Sequence, residues 1–259
     1  MRKTKWIASA FLISGVLLAQ TAENKQPKIK SQKEQEAVMA IFNAPSSAVR
    51  MTAADALLGK FADTDFKATA LYIATVSAEE VGNWEKTVIY GDRALEADPK
   101  SYGTMLILAR GYASHTREFD LDKEEKLGKV DKYAKGALAM LKTAPKMQPA
   151  MPDDQWESMR KGFVSEAYEA LGLAATVRKK YDDAIEAFKS ALEAAPGNAN
   201  LLTRLAQSNL DAKKYDEAVK SADVVLAQAN LNPQVKAIAE SIRKRAADSK
   251  AAKYSNPFR

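Results

Sequence analysis

Hydrophobic residues in the last third of the chain recur at intervals of three and four, a spacing that places them on one face of an α-helix. Two such stripes follow each other and consist of Tyr168, Leu171, Ala175, Ala184, Phe188 and Ala191. Pro196 then ends the second helix, because the residue before a proline disfavours the α conformation. The pattern predicts two consecutive helices joined by a tight turn.

The same pattern returns 34 residues later. The turn Lys179–Ala184 reads KKYDDA, and Lys213–Ala218 reads KKYDEA. Gly172 and Ala206 lie beside the apolar face and carry little or no side chain, so a second helix can approach closely. A period of 34 residues, with small residues at fixed places in two helices, resembles the tetratricopeptide repeat (TPR), a helix–turn–helix unit.

The resemblance implies an all-α fold, an α-solenoid of stacked helix–turn–helix (TPR) repeats with capping helices. One hairpin cannot bury its apolar face alone, whereas several stacked hairpins can. The predicted solenoid spans residues 31–252. Its parts are a divergent capping hairpin (31–63), degraded repeats (65–99 and 102–145), an insertion with a long helix (146–164), clear repeats (165–198 and 199–232) and a capping helix (233–252), with a flexible tail at 253–259.

Two helices are predicted before the repeats. Ser31 and Glu34 form an S-x-x-E capping box, in which each side chain satisfies a backbone N–H group of the first turn. Ser46 or Ser47 caps the second helix. The residues expected to face inward in these helices and in the final one are Val38, Ile41, Phe42, Val49, Ala53, Leu57, Phe61, Val235, Ile238 and Ile242.

The first insertion, residues 114–125, breaks the period with a charged segment. Asp122 and Glu125 form a helix-start signal, which predicts a lengthened helix running to about Thr143. The alternating carboxylates and central glycine of an EF-hand loop are missing. We therefore interpret this segment as a solvated acidic turn.

The second insertion leads into a helical pattern over residues 154–178, about 37 Å long at 1.5 Å per residue. Trp156, Met159 and Phe163 line one side of its first half. They either pack on the preceding helix or form an exposed apolar strip that docks a partner.

The chain begins with the layout of a secretory signal peptide, predicted at 1–21. Met1–Lys5 is basic and Trp6–Ala19 is apolar. This run is shorter than the roughly 20 residues that cross a bilayer, which predicts export without stable membrane insertion after cleavage. We expect a disordered linker at 22–30 and a periplasmic or secreted bacterial protein.

Composition narrows the candidate chemistry. The chain has no cysteine, which excludes disulfides and thiolate sites, and its single His115 cannot form a metal site alone. The net charge is +6; without the first 19 residues, which carry three basic and no acidic side chains, it is 36 − 33 = +3. Interspersed charges of this kind do not predict nucleic-acid binding.

No catalytic motif is present, so we expect a non-enzymatic protein without a cofactor or metal. The resemblance implies a scaffold or adaptor that binds a protein segment in the concave groove of the first helices, and the predicted signal peptide assigns it to the bacterial cell envelope. The corresponding groove residues are Tyr72, Val76, Leu106, Arg110, Glu169, Leu173, Thr203 and Gln207.

Two alternatives remain open at the level of sequence. One is a structural subunit of a homo- or hetero-oligomeric envelope complex, docking through the long 154–178 helix. The other is an envelope enzyme with two carboxylates about 5–9 Å apart, acting on a glycan. The sequence does not identify the protein partner or the oligomeric state.

Overall fold

The computed structural model describes residues 27–255, and these contain helices and connecting segments without a β-strand. The prediction of an all-α solenoid of helical repeats is confirmed. Within this range the helices are α1 (Gln32–Phe42), α2 (Ser47–Lys60), α3 (Lys67–Glu80), α4 (Trp84–Ala97), α5 (Tyr102–His115), α6 (Lys123–Leu141), α7 (Asp153–Val177), α8 (Tyr181–Ala194), α9 (Ala199–Asp211), α10 (Tyr215–Leu226) and α11 (Pro233–Ser255).

The described residues divide into two compact units. The first unit runs to Gly111 and includes Lys135–Arg160; the second comprises Tyr112–Ala134 and the residues from Lys161 onward. The predicted signal peptide (1–21) lies outside the described residues. The predicted disordered linker lies outside the described residues at 22–26. Its end is not free: the Lys28 N–H donates to the Asp65 carboxylate at 3.1 Å, and the Lys30 ammonium lies 3.4 Å from that carboxylate.

The capping box of α1 forms only in part. The Ser31 hydroxyl accepts from the Glu34 N–H at 3.1 Å, as predicted. The Glu34 carboxylate accepts instead from the Lys30 N–H at 2.6 Å and from the Thr64 hydroxyl at 2.7 Å. Because Glu34 is buried, both bonds satisfy a carboxylate that is removed from water. The side chain therefore joins the start of α1 to the segment before α3.

Ser46 rather than Ser47 caps α2, because its hydroxyl accepts from the Val49 N–H at 3.3 Å. The inward position predicted for Val49 is wrong, since this residue is 46% exposed. The buried face of α2 follows Met51, Ala54 and Leu57. This face is rotated by one position, about 100°, from a face centred on Ala53.

The repeat formed by α3 and α4 reverses the order of small and large residues found in the repeat at 165–198. Thr75 and Gly91 lie 16 residues apart, as do Gly172 and Phe188 in the second unit, but the small residue is now on the second helix. A Cβ atom at Gly91 would lie 2.7 Å from the Leu108 side chain. Leu108 of α5 thus fills the space that an aromatic ring would take on α4.

The second unit contains the close helix approach that the sequence predicts. A Cβ atom at Gly172 would lie 2.5–2.8 Å from three ring atoms of Phe188, which is 1% exposed. Real Cβ contacts are not this short, so the ring of α8 packs directly on the backbone of α7. The hydroxyl of Ser165, also on α7, donates to the Ala191 carbonyl of α8 at 2.9 Å.

The turns that join α3 to α4, α7 to α8 and α9 to α10 share one backbone conformation. Gly82, Lys179 and Lys213 all have a positive φ, of 68°, 59° and 60°. After Lys213, the Lys214 N–H donates to the Asn209 carbonyl at 2.8 Å, while the Lys213 N–H donates to Leu210 at 3.0 Å. These are the two bonds of a Schellman motif, which ends one helix and redirects the chain into the next.

The long helices agree with the sequence in type and differ at their ends. α6 has 19 residues and α7 has 25. α11 continues to Ser255, so the predicted tail from residue 253 begins within a helix. The inward position predicted for Ile238 is wrong, because it is 50% exposed while Ala239, Ile242 and Ala246 are buried. α11 packs on α9 and α10 through this neighbouring face.

Candidate protein-binding surface

In the first unit, the predicted groove residues lie on α3 and α5. Tyr72 and Val76 are half-buried, and Arg110 is exposed. Leu106 is only 3% exposed, so its side chain belongs to the core and is removed from the candidate surface. The error arises because α5 carries apolar residues on nearly every face, which leaves the sequence without a clear outward side.

Arg110 has a carboxylate partner on the neighbouring first helix. Its guanidinium donates to one oxygen of Glu79 at 2.7 and 3.2 Å. Arg110 lies on α5 and Glu79 on α3, 31 residues earlier. The arginine proposed as a charged groove contact is therefore already part of an ion pair between successive repeats.

In the second unit, the remaining groove residues lie on α7 and α9. Glu169, Leu173, Thr203 and Gln207 are all half-buried. The Glu169 carboxylate accepts from Arg204 at 2.9 Å, again across two successive first helices. One face therefore combines an apolar side chain, a hydroxyl, an amide and a compensated charge pair.

The polar groups of this face also bond within their own helix. The Thr203 hydroxyl donates to the Ala199 carbonyl at 2.7 Å. The Gln207 amide donates to the Asp211 carboxylate at 2.7 Å. A bound segment would therefore exchange bonds with groups that are already oriented, which lowers the entropic cost of binding.

Glu79 and Arg204 were missed at the level of sequence. Each lies about one repeat length from its partner, 31 residues for Glu79 and 35 for Arg204. A search for opposite charges near the repeat period, on the first helices alone, would have found both.

The apolar strip predicted on the first half of α7 is not fully accessible. Trp156 is 8% exposed, whereas Met159 and Phe163 are half-buried. The prediction of an exposed docking strip is therefore wrong for Trp156, its largest residue, because this side chain is already buried within the chain.

Titratable side chains of the described residues show shifts that burial and pairing explain. Burial, the hydrogen bond to Asp55 and its negative charge raise the pKa of Tyr90 to about 12, with a Tyr90 O–Asp55 O distance of 2.7 Å. Burial also raises the pKa of Tyr102 to about 12. Within residues 27–255, no three His, Asp or Glu side chains are placed to hold a metal ion.

The comparison with known proteins agrees with this arrangement of paired helices, Schellman turns and an aromatic ring packed against a glycine. Residues 178–242 match the tetratricopeptide repeat family. This TPR match begins at the turn before α8 and includes α9, α10 and the start of α11. TPR folds generally serve as non-enzymatic scaffolds for protein–protein interaction.

Solved structures of TPR proteins resemble this chain over most of its length. A thermophilic TPR protein from Thermus thermophilus is 18% identical, with 81% of this chain and 98% of that chain covered and a TM-score of 0.45. The P58(IPK) TPR domain is 14% identical, with 84% of this chain and 66% of that chain covered and a TM-score of 0.31. No curated protein matches the chain. Among the helices described, none is both long and apolar enough to cross a membrane.

Proposed function

We propose that this protein is an exported, non-enzymatic scaffold that holds a segment of another protein on the exposed faces of its first helices. The family match supports a role in protein binding. The basic and apolar start of the chain supports export to the bacterial envelope or beyond. The partner is a protein segment and not a nucleic acid, because the charges are interspersed.

The main support for this proposal is the face formed by α7 and α9. Leu173 offers an apolar contact, while Thr203 and Gln207 offer groups that can bond a peptide backbone. The Glu169–Arg204 pair brings both signs of charge to the same face without a net charge. These features together suit an extended segment with mixed side chains better than a strongly charged ligand.

The Glu169–Arg204 pair permits a direct test. Exchanging the two residues, Glu169→Arg with Arg204→Glu, keeps an ion pair but reverses the charge pattern of the face. We expect the mature protein with this exchange to keep its melting temperature and to recover its envelope partners at least ten-fold less well. Recovery is measured by quantitative mass spectrometry of proteins bound from an envelope extract.

A matched exchange on the second helix of the repeat provides the control. Glu186 and Lys189 of α8 form a surface pair at 2.9 Å, and Glu186→Lys with Lys189→Glu should leave recovery unchanged. Equal recovery by the wild type and both exchanged variants would show that the first-helix face does not bind the partner. Recovery of the unprocessed chain in the cytoplasmic fraction would separately contradict export.

A further inference from the structure

The segment between α5 and α6 presents two large apolar side chains to solvent. Phe119 is 87% exposed and Leu121 is 108% exposed, whereas no other large hydrophobic residue within the described range exceeds 50%. Water contact of this extent is unfavourable for both side chains. The pair forms an apolar tip, the name used here for Phe119 and Leu121.

Asp120, the residue between them, forms hydrogen bonds to the protein that fix the segment. The Asp120 carboxylate accepts from the Arg117 N–H at 3.1 Å and from the Lys126 ammonium at 3.2 Å. These bonds lower the pKa of Asp120, with the backbone bond contributing most. Because Asp120 is tied to the protein, its two neighbours project outward from an ordered segment.

The tip lies at an edge of the second unit that is built from helix–helix turns. Ion pairs link the elements along this edge: Glu118 with Lys179 at 2.6 Å and Asp182 with Lys214 at 2.7 Å join successive turns, and Asp216 pairs with Lys250 of α11. The groove residues of this unit lie instead on the faces of α7 and α9. The tip is therefore a separate surface from the one proposed to hold a peptide segment.

We propose that Phe119 and Leu121 are an anchor that inserts into an uncharged apolar pocket on a separate folded protein. The scaffold would then contact one protein through its first helices and a second through this tip. The segment is already ordered, so insertion costs little conformational entropy. Large apolar side chains seated in a partner's pocket supply much of the binding energy of such contacts.

The size of the tip argues for a pocket on the partner and against a flat contact between the tips of two copies of the chain. An aromatic side chain buries roughly 150–250 Å². Two side chains therefore fall well short of the roughly 800 Å² that each partner of a stable interface contributes. A concave pocket can enclose both side chains, so that all of their apolar surface is removed from water.

The charges beside the tip argue for an uncharged recipient. Glu118 is paired with Lys179, and both Asp120 and Asp122 are paired with Lys126. Asp120 and Asp122 share one ammonium group, and the positive charge of the adjacent Arg117 brings the formal sum of these side chains to zero, so no net charge at the tip needs a match on the partner. A bilayer is disfavoured, because the carboxylates of Glu118 and Asp122, 40% and 52% exposed, flank the tip and would lose water on insertion.

Site-specific photo-crosslinking of the full chain in the exporting cell tests the anchor. The photo-reactive residue p-benzoylphenylalanine is placed at position 119 and, as a control, at position 224, where Val224 is 46% exposed on α10. We expect one protein adduct from position 119 that is absent from position 224. Adding Leu121→Ser should abolish it, whereas Glu169→Arg with Arg204→Glu should leave it intact.

The protein identified in that adduct is then purified and titrated with the wild-type chain. We expect Phe119→Ser and Leu121→Ser each to weaken binding about 10- to 100-fold, with an unchanged melting temperature. Binding should change less than about three-fold between roughly 0.05 and 0.5 M NaCl, because no net charge is matched.

Each other outcome overturns the proposal. An adduct of twice the chain mass would assign the tip to self-association, and a lipid adduct would assign it to a membrane. No adduct, an equal adduct at position 224, or an adduct indifferent to Leu121→Ser would show that the tip does not anchor a partner. Strong salt dependence would contradict an uncharged pocket. Loss of the adduct in the variant that carries only Glu169→Arg with Arg204→Glu would show that the tip has no separate role.

Discussion

At the scale of single residues, side-chain size decides how closely paired helices approach. The Phe188 ring occupies the volume that a side chain at position 172 would need. Where the first unit places Thr75 at the corresponding position, Gly91 replaces the ring and Leu108 fills the space. Close packing therefore does not require glycine at one fixed site, because the small residue can lie on either helix of the pair.

Two glycines of α7 allow this to be tested on one helix. Gly172→Ala should lower the free energy of unfolding by about 1–3 kcal/mol, because the methyl group overlaps the buried ring. Gly162→Ala should raise it by up to about 1 kcal/mol, since a Cβ atom there meets nothing within 4 Å and alanine favours the helix. Urea unfolding followed by circular dichroism measures both. A change of the same sign in the two variants would contradict this account of the packing.

At the scale of elements, three of the turns between paired helices depend on one residue with a positive φ. Gly82 adopts this conformation without a steric cost, whereas Lys179 and Lys213 carry a Cβ atom in it. The Schellman bonds and the packing of the flanking helices hold these lysines there. The sequence KKYD therefore forms the turn although its local preference is unfavourable.

Lys213→Gly should raise the free energy of unfolding by about 0.5–1 kcal/mol. Glycine removes the cost of the left-handed conformation, and this gain exceeds its greater entropy in the unfolded chain. Lys213→Ala is the control, because it removes the same charge and keeps the Cβ atom; we expect no stabilisation from it. Thermal unfolding of the three proteins under identical conditions gives the comparison. Equal gains from glycine and alanine would attribute the effect to charge instead of backbone conformation.

At the scale of the whole molecule, stability in a solenoid is set by neighbouring hairpins. The packing in the second unit runs from α8 to α9, from α9 to α10 and from α10 to α11. The first unit has its own series from α1 to α4. A defect in one hairpin should therefore loosen its neighbours first.

Hydrogen exchange of the Gly172→Ala variant tests this locality. We expect amide protection to fall in α8 and α9, whose core includes Phe188, Ile185 and Leu201, while α1–α3 keep wild-type protection. Mass spectrometry of peptides from both units gives the two readings in one sample. A uniform loss of protection would show instead that the chain unfolds as one cooperative body.

The sequence by itself determined the helices, the repeated turn and the small residues that let helices pair. These features depend on residues close together in the sequence, such as Ser31 and the Glu34 N–H three positions later. They can therefore be predicted from the sequence alone. The period of 34 residues also located the first-helix faces, including Glu169, Leu173, Thr203 and Gln207.

Only the tertiary structure decided which side chains are buried and which charges pair. Leu106 and Trp156 are covered by other parts of the chain, whereas Phe119 and Leu121 are left in water. Glu79 and Arg204 neutralise residues 31 and 35 positions away. These outcomes depend on how helices are placed in space, because burial and ion pairing act over a few ångströms whatever the separation in sequence.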